Sequence, residues 1–248
     1  LRPNIVVTSP SWAITLAEEA AQYGLDLPGL QIKKMWLTGE GCSPAFRARV
    51  ERIWGTTANF FYGSLECGVL GIECDAHNGY HLAEAHVLME VVSPASGEPV
   101  PAGETGELVV TALLRHDSPV LRFRTGDLGF LDTAPCPCGA RLSRFHLRGR
   151  ALDQLVVRGK SISPLYLEEL LMRMPEIGNW YELVQPTAGS AASTMRIRCE
   201  LASGVSPAVG LAAAIARKLQ TATGLLFEIE LVNRLARPAG KVSRVVRE

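Results

Sequence analysis

The stretch that most constrains this chain is Tyr62-Gly63-Ser64-Leu65-Glu66, which follows the apolar run Ala58-Asn59-Phe60-Phe61. A short buried strand that runs into a glycine turn and then a carboxylate is how an α/β sheet presents a ligand-binding group at a strand's carboxyl end. A second edge of this type lies upstream, at Met35-Trp36-Leu37-Thr38-Gly39-Glu40-Gly41. Downstream come Arg122-Phe123-Arg124-Thr125-Gly126-Asp127, then Gly149-Arg150, then Gly240-Lys241. A lone glycine–acid pair is ordinary turn chemistry. The ordered succession of such pairs carries the information.

Between these edges the chain alternates. Ser9-Pro10 opens a helix in which Trp12, Leu16, Ala20 and Tyr23 recur at helical spacing before Gly24. Residues 32–37 form a strand, Ser43-Pro44 opens a second helix with Phe46, Val50 and Ile53 on one face, and residues 58–62 form the next strand. That rhythm predicts a partial parallel βαβ layer over residues 1–78. Residues 79–148 change texture to short strands (87–92, 106–114 and 120–124) with Ser96-Gly97 and Ala102-Gly103 loops, which predicts a small, mostly antiparallel barrel-like region. Residues 149–248 then read as a separate α+β lid domain, with strands at 155–157, 195–199 and 227–231 and helices at 163–174 and 207–222. The fold class is therefore α/β with three parts.

With 248 residues, 47% of them hydrophobic, the chain can bury a substantial core. Its formal net charge is zero, so no global field favours nucleic acid or an acidic membrane surface. No apolar run approaches the roughly 18 to 20 residues that a membrane span needs. The opening Leu1-Arg2-Pro3-Asn4 has no apolar signal region, which predicts a cytoplasmic setting, and no initiator Met, which predicts a piece of a longer polypeptide.

Six cysteines stand at 42, 67, 74, 136, 138 and 199. In a reducing compartment, clustered cysteines bind metal more often than they form disulfides. Cys74 precedes His81 by a gap of six residues, and Cys136-Pro137-Cys138-Gly139 follows far downstream. Three thiolates and one imidazole make the closed tetrahedral set that structural zinc prefers, so Cys74, His81, Cys136 and Cys138 are the expected ligands. Cys67 is an alternative to Cys74, and a merely buried Cys74 beside an inert loop is the bland alternative. Cys42 and Cys199 read as small core residues. His77, His86, His116 and His146 have no partner in the sequence pattern.

Taken together, residues 35–241 resemble the adenylate-forming acyl- and aryl-coenzyme A ligases, and within them the phenylacetate–coenzyme A ligase family. The likeness covers only the second half or so of such an enzyme. It implies that Tyr62 and Gly63 bear the adenine, that Gly39 and Glu40 edge the same pocket, and that Glu66 coordinates Mg²⁺ beside ATP. It further implies that Asp127 accepts from the ribose hydroxyls and that Arg150 contacts the nucleotide. Lys241 becomes the lysine that bridges the substrate carboxylate and the α-phosphate. The zinc ligands have counterparts in the phenylacetate-type enzymes. The implied partners are a carboxylic acid of the aryl or arylacetic type, ATP, coenzyme A and the missing N-terminal half, supplied in cis or in trans.

The sequence departs from the family pattern at three places. No glycine- and hydroxyl-rich phosphate loop precedes Tyr62, Leu65 stands where a hydroxyl residue is usual, and Leu152 stands where an acidic hinge residue is expected, with Asp153 one place later. These departures predict weak nucleotide binding and no activity for the isolated chain. The acid pocket is expected near Tyr62 to Gly71, walled by Val69, Leu70 and Gly71. Two alternatives stay open at this point. One is an enzyme that hands the acyl group to a carrier protein, and the other is a non-catalytic zinc-stapled module that pairs with a partner.

Overall fold

The two helices that open on Ser-Pro or Ser-Pro-like caps form as the sequence predicts, but they group with the C-terminal region. The computed structural model describes residues 3–157, 159–185 and 194–247. One compact unit consists of residues 1–9, 26–39 and 54–152, and the other of residues 10–25, 40–53 and 153–248. The second unit resumes at Asp153, four residues past the boundary expected at 149.

The first unit is built on one nine-stranded sheet. β1 (Ile5–Thr8), β2 (Lys34–Leu37) and β3 (Ala58–Ser64) pair in parallel. The remaining strands are β4 (Gly68–Glu73), β5 (Tyr80–Leu82), β6 (Val87–Val92), β7 (Gly106–Ala112), β8 (Phe123–Asp132) and β9 (Arg144–Arg150). They are antiparallel and extend the same sheet in the order β1-β2-β3-β4-β5-β9-β8-β7-β6. The strands expected to form a small barrel thus join the parallel layer through the β3–β4 hairpin, and the sheet stays open between β1 and β6. Ala58, Asn59 and Phe60 are all buried, as a strand covered on both faces requires. Leu70, Leu82, Val87, Met89, Leu108, Val110 and Phe145 make the core of the antiparallel part. A Cβ on Gly71 would lie 2.4 Å from the Phe145 ring, so this glycine is fixed by packing.

The strand expected at 120–124 begins at Phe123 and runs on to Asp132. Arg122, just before it, adopts a positive φ of 46°, which turns the chain into the sheet. No helix among the described residues is long and apolar enough to cross a membrane.

The second unit holds α1 (Pro10–Gln22), α2 (Pro44–Trp54) up to Ile53, the hairpin β10 (Leu155–Val157) and β11 (Lys160–Ile162), and α3 (Pro164–Met172). β12 (Ile177–Gln185), β13 (Thr194–Leu201), α4 (Leu211–Thr223), β14 (Leu226–Val232) and β15 (Val245–Arg247) complete it. The four strands pair in the order β14-β13-β12-β15. Met195, Ile197 and Cys199 alternate into the core, and Ile215 and Leu219, four residues apart on α4, are fully buried. β12 is absent from the sequence reading because a register shift between Ile177 and Tyr181 breaks the two-residue alternation.

Within this unit α2 and α3 satisfy each other's ends. The Ser43 and Ala45 N–H groups donate to the Glu168 and Glu169 carboxylates (2.6 and 2.7 Å), and Ser43 Oγ accepts from Phe46 N–H. In return the Arg49 guanidinium donates to the carbonyls of Met172, Met174, Ile177 and Gly178. Carboxylates at a helix start and a cation at a helix end each complement the backbone dipole.

Candidate functional site

Three of the residues singled out in the sequence converge in the first unit. Tyr62 on β3 donates its hydroxyl to Asp127 Oδ2, and Arg150 Nε donates to Asp127 Oδ1 at 3.2 Å. Asp127 on β8 and Arg150 on β9 face each other as register partners. The turn before Asp127 is set by its neighbours. Gly126 has φ +74°, Thr125 Oγ1 accepts from Asp127 N–H and donates to Leu108 O, and buried Glu107 accepts from Gly126 N–H and from Arg124. Burial and then the Asp127 charge hold the Tyr62 hydroxyl well above its ordinary pKa, so it remains a donor. The Tyr62 ring also packs edge-on against Phe145, with centroids 5.6 Å apart. The result is an aromatic platform beside a carboxylate that two donors share.

Gly63 has a steric role, because a Cβ there would lie 2.5 Å from Gly68 O across the hairpin. Glu66 sits at the exposed hairpin turn, and its carboxylate has no partner among the described residues. The turn itself is held by Arg115, which donates to the main-chain oxygens of Leu65 (2.9 Å) and Glu66. Sequence reasoning missed Arg115, because a side chain that binds backbone 50 and 49 residues away leaves no local signal. Of the expected acid-pocket wall, Leu70 points into the core, Gly71 abuts Phe145, and Val69 is 44% exposed.

In the second unit, Glu40 accepts from Ser11 N–H and Oγ (3.1 and 2.7 Å) and from Val242 N–H (2.9 Å). Lys241, next to Val242, is exposed, and no described residue pairs with its ammonium. Gly39 in the first unit has φ +82° and open space where a Cβ would stand, so a side chain there would be strained by conformation alone.

The cysteine–histidine set also assembles. One ligand atom each from Cys74, His81, Cys136 and Cys138 lies within 4.8 Å of the others. Cys74 Sγ is 3.7 Å from Cys136 Sγ, and Cys138 Sγ is 3.3 Å from His81 Nε2. A disulfide needs about 2.0 Å. Thiolates on a zinc ion with 2.3 Å bonds would stand about 3.8 Å apart along a tetrahedral edge, so the donors fit that ion in type, number and spacing. Burial pushes the Cys74 thiol up to about 11, while the Cys138 backbone N–H lowers Cys136. A divalent cation among them would deprotonate the set.

Cys67 belongs instead to the apolar core cluster, apart from the four converging donors. Cys199 is a core residue with its thiol raised to about 12 by burial. Two histidines that lacked partners in the sequence have them in space. His77 Nδ1 lies 3.3 Å from Glu73, and His146 stacks on Phe130.

The AMP-binding enzyme C-terminal domain family matches residues 159–248. Phenylacetate-coenzyme A ligase from Thermus thermophilus is 36% identical over 197 residues, covering 76% of this chain and 43% of the relative. The Escherichia coli phenylacetate-coenzyme A ligase is 29% identical over 98% of this chain and 58% of its own length. A crystal structure of 2-hydroxyisobutyryl-CoA ligase in the postadenylation state, in complex with R3-HIB-AMP, superposes with a TM-score of 0.91 and 28% identity over 100% of this chain and 55% of that one. The chain thus spans about half the length of the curated relatives it matches. In fold the chain is similar to 2-hydroxyisobutyryl-CoA ligase. Residues 159–248 match the C-terminal domain family of AMP-binding enzymes, and the chain as a whole is similar to phenylacetate-coenzyme A ligases.

Proposed function

We propose that this chain supplies the lid and part of the nucleotide side of an ATP-dependent ligase. That enzyme would join an aryl or arylacetic acid, of which phenylacetate is the type, to coenzyme A in the cytoplasm. The observation that carries the proposal is the Tyr62–Asp127–Arg150 cluster. Residues 62, 127 and 150 were assigned to one nucleotide site from the sequence, and they share hydrogen bonds. Tyr62 offers a π face for adenine. Asp127 offers two oxygens that can accept from vicinal ribose hydroxyls once Tyr62 or Arg150 yields. Glu66, exposed on its turn, suits a hard cation carried in with the triphosphate, since Mg²⁺ is often held by one or two carboxylates plus phosphate oxygens.

In the first half-reaction the acid's carboxylate oxygen attacks the α-phosphorus and pyrophosphate leaves, giving an acyl-adenylate. Lys241 places its ammonium against the charge that grows on the in-line transition state, where preorganised positive charge is most effective. In the second, the thiol of coenzyme A attacks the acyl carbon and AMP leaves. We further propose that the lid turns about residues 149–153 between the steps, withdrawing Lys241 and presenting residues 157–163. Zinc held by Cys74, His81, Cys136 and Cys138 would staple the β4–β5 and β8–β9 connections, with no open position for chemistry. A cytoplasmic setting would keep these thiols reduced.

The test is calorimetric titration of the chain with ATP–Mg²⁺, alone and after addition of the half of the ligase that it does not span. Weak binding alone, with pyrophosphate release restored by the added half, is expected. In the reconstituted enzyme, Lys241→Ala should slow adenylate formation roughly 100-fold or more. No binding and no turnover in either arrangement would instead favour the non-catalytic module that Leu65, 96% exposed in place of a phosphate-contacting hydroxyl, suggests.

A further inference from the structure

The segment that carries Lys241 is long and mostly without regular structure, running from the end of β14 at Val232 to the start of β15 at Val245. An exposed lysine on such a segment would sample many positions, and each ordered residue costs roughly 1–2 kcal/mol of backbone entropy. The second unit restrains it at two points, four residues before Lys241 and one residue after.

The upstream restraint is Arg237. Its Nε and Nη2 donate to Glu18 on α1 (3.0 and 3.2 Å), its Nη1 and Nη2 donate to Glu200 on β13, and Nη1 also donates to Leu235 O at 2.9 Å. That accounts for all five guanidinium donors. The planar group lies 4.2 Å from the Trp180 ring centroid, and the Trp180 indole N–H donates back to Glu18 Oε1 at 2.6 Å. The Arg237 side chain is only 15% exposed and that of Glu200 only 13%. Leu235 N–H also donates to Glu200, so the backbone is held beside the side chain.

The downstream restraint is Glu40. One carboxylate joins the Val242 N–H to the first turn of α1 through Ser11, which is itself buried. An acid at that helix start has a dipole to complement as well as hydrogen bonds to accept. Just beyond, the Arg244 guanidinium lies 4.7 Å from the Tyr181 ring centroid and 5.0 Å from that of Trp180.

We propose that Glu40 and Glu18 are positioning residues that fix the Lys241 segment in the arrangement used for adenylate formation. Glu40 then acts through the peptide next to the lysine. The proposal rests on the role given to Lys241 above. Its structural half can be tested separately from that role.

Hydrogen–deuterium exchange of the peptides covering residues 233–247 reads the restraint directly in this chain. Glu40→Ala should speed exchange around Val242 about tenfold or more. Glu40→Gln, which keeps one oxygen to accept the Val242 N–H, should stay near the unmodified rate. Glu18→Ala should loosen residues 233–237 while global unfolding remains cooperative. In the reconstituted ligase, Glu40→Ala should lower kcat for adenylate formation about tenfold with the KM for the acid unchanged. It should have no further effect in a Lys241→Ala background and should be rescued by Gln. Unchanged exchange in Glu40→Ala would overturn the restraint. Faster exchange with undiminished adenylate formation would overturn the positioning role of Glu40, whereas undiminished formation in Lys241→Ala would overturn the role of Lys241 on which it rests.

Discussion

The Cys74–His81–Cys136–Cys138 cluster of the first unit and the Glu18–Glu200–Arg237 cluster of the second both gather polar side chains from distant parts of the chain. They balance them differently. Around Arg237 every guanidinium donor meets an acceptor of opposite or partial negative charge, and two carboxylates share the one cation. Around the four metal-type donors nothing among the described residues plays that part, and His81 Nδ1 is buried with no hydrogen-bond partner among them. Three thiols and an imidazole within 4.8 Å make a donor set of the type and number that zinc takes. A cluster that closes on itself is a clamp, and one whose donors converge has the make-up proposed above for a zinc site.

The sharpest way to break this contrast is through the metal. The purified chain is expected to carry about one zinc ion by elemental analysis, and its removal by a chelator should lower the unfolding temperature by on the order of 10 °C, the size of a several-kcal/mol loss in a domain of this length. Cys136→Ser should do the same without chelator. A metal-free chain that unfolds at an unaltered temperature would place the cluster with ordinary buried thiols.

The clamp makes a smaller and opposite prediction. Arg237→Met leaves the largely buried Glu200 facing a partly exposed Glu18, and should cost about 3 kcal/mol by urea unfolding, insensitive to chelator. Combining it with Glu18→Gln and Glu200→Gln should recover part of that loss. A cost of a few tenths of a kcal/mol would rank the cluster with solvated surface ion pairs.

The smallest effect concerns the buried Glu168 that caps α2. Burial raises its pKa, against the hydrogen bonds from Tyr181 and Ser43 that lower it. A carboxyl raised in the folded state contributes its full stability below its unfolded pKa and loses it as pH rises through the folded value. Glu168→Gln should therefore cost roughly 1 kcal/mol in acid, where one hydrogen bond is weakened, and the deficit should shrink as pH rises toward neutrality. A deficit that grows with pH would mean that the pairings of the carboxylate outweigh its burial.

What could be read from the sequence followed from local chemistry. The Ser43-Pro44 and Ser163-Pro164 starts located α2 and α3, since a cap and a first-turn proline act within one turn. The Cys-Pro-Cys-Gly turn and the Gly-Asp edge were legible because few residue types serve such turns and ligands. Glu18, Trp180, Glu200 and Arg237 were not, because no spacing rule links positions that meet only after β12 and β13 have paired. β12 hid behind its bulge, and the continuity of the nine-stranded sheet behind the β3–β4 hairpin. That hairpin depends on Gly63, whose missing Cβ lets two backbones touch. Read locally, the same glycine looked like part of a ligand loop.

Tyr62 brings one last consequence. Its hydroxyl is tied to Asp127 and its edge rests on Phe145, so the ring is fastened at its tip and along its side. The hydroxyl oxygen lies on the ring's own axis, so the hydrogen bond fixes the tip while the contact with Phe145 sets the tilt. The rotor freedom that stacking would otherwise remove is already lost when the chain folds, so a planar ring laid there gives up only its own motion.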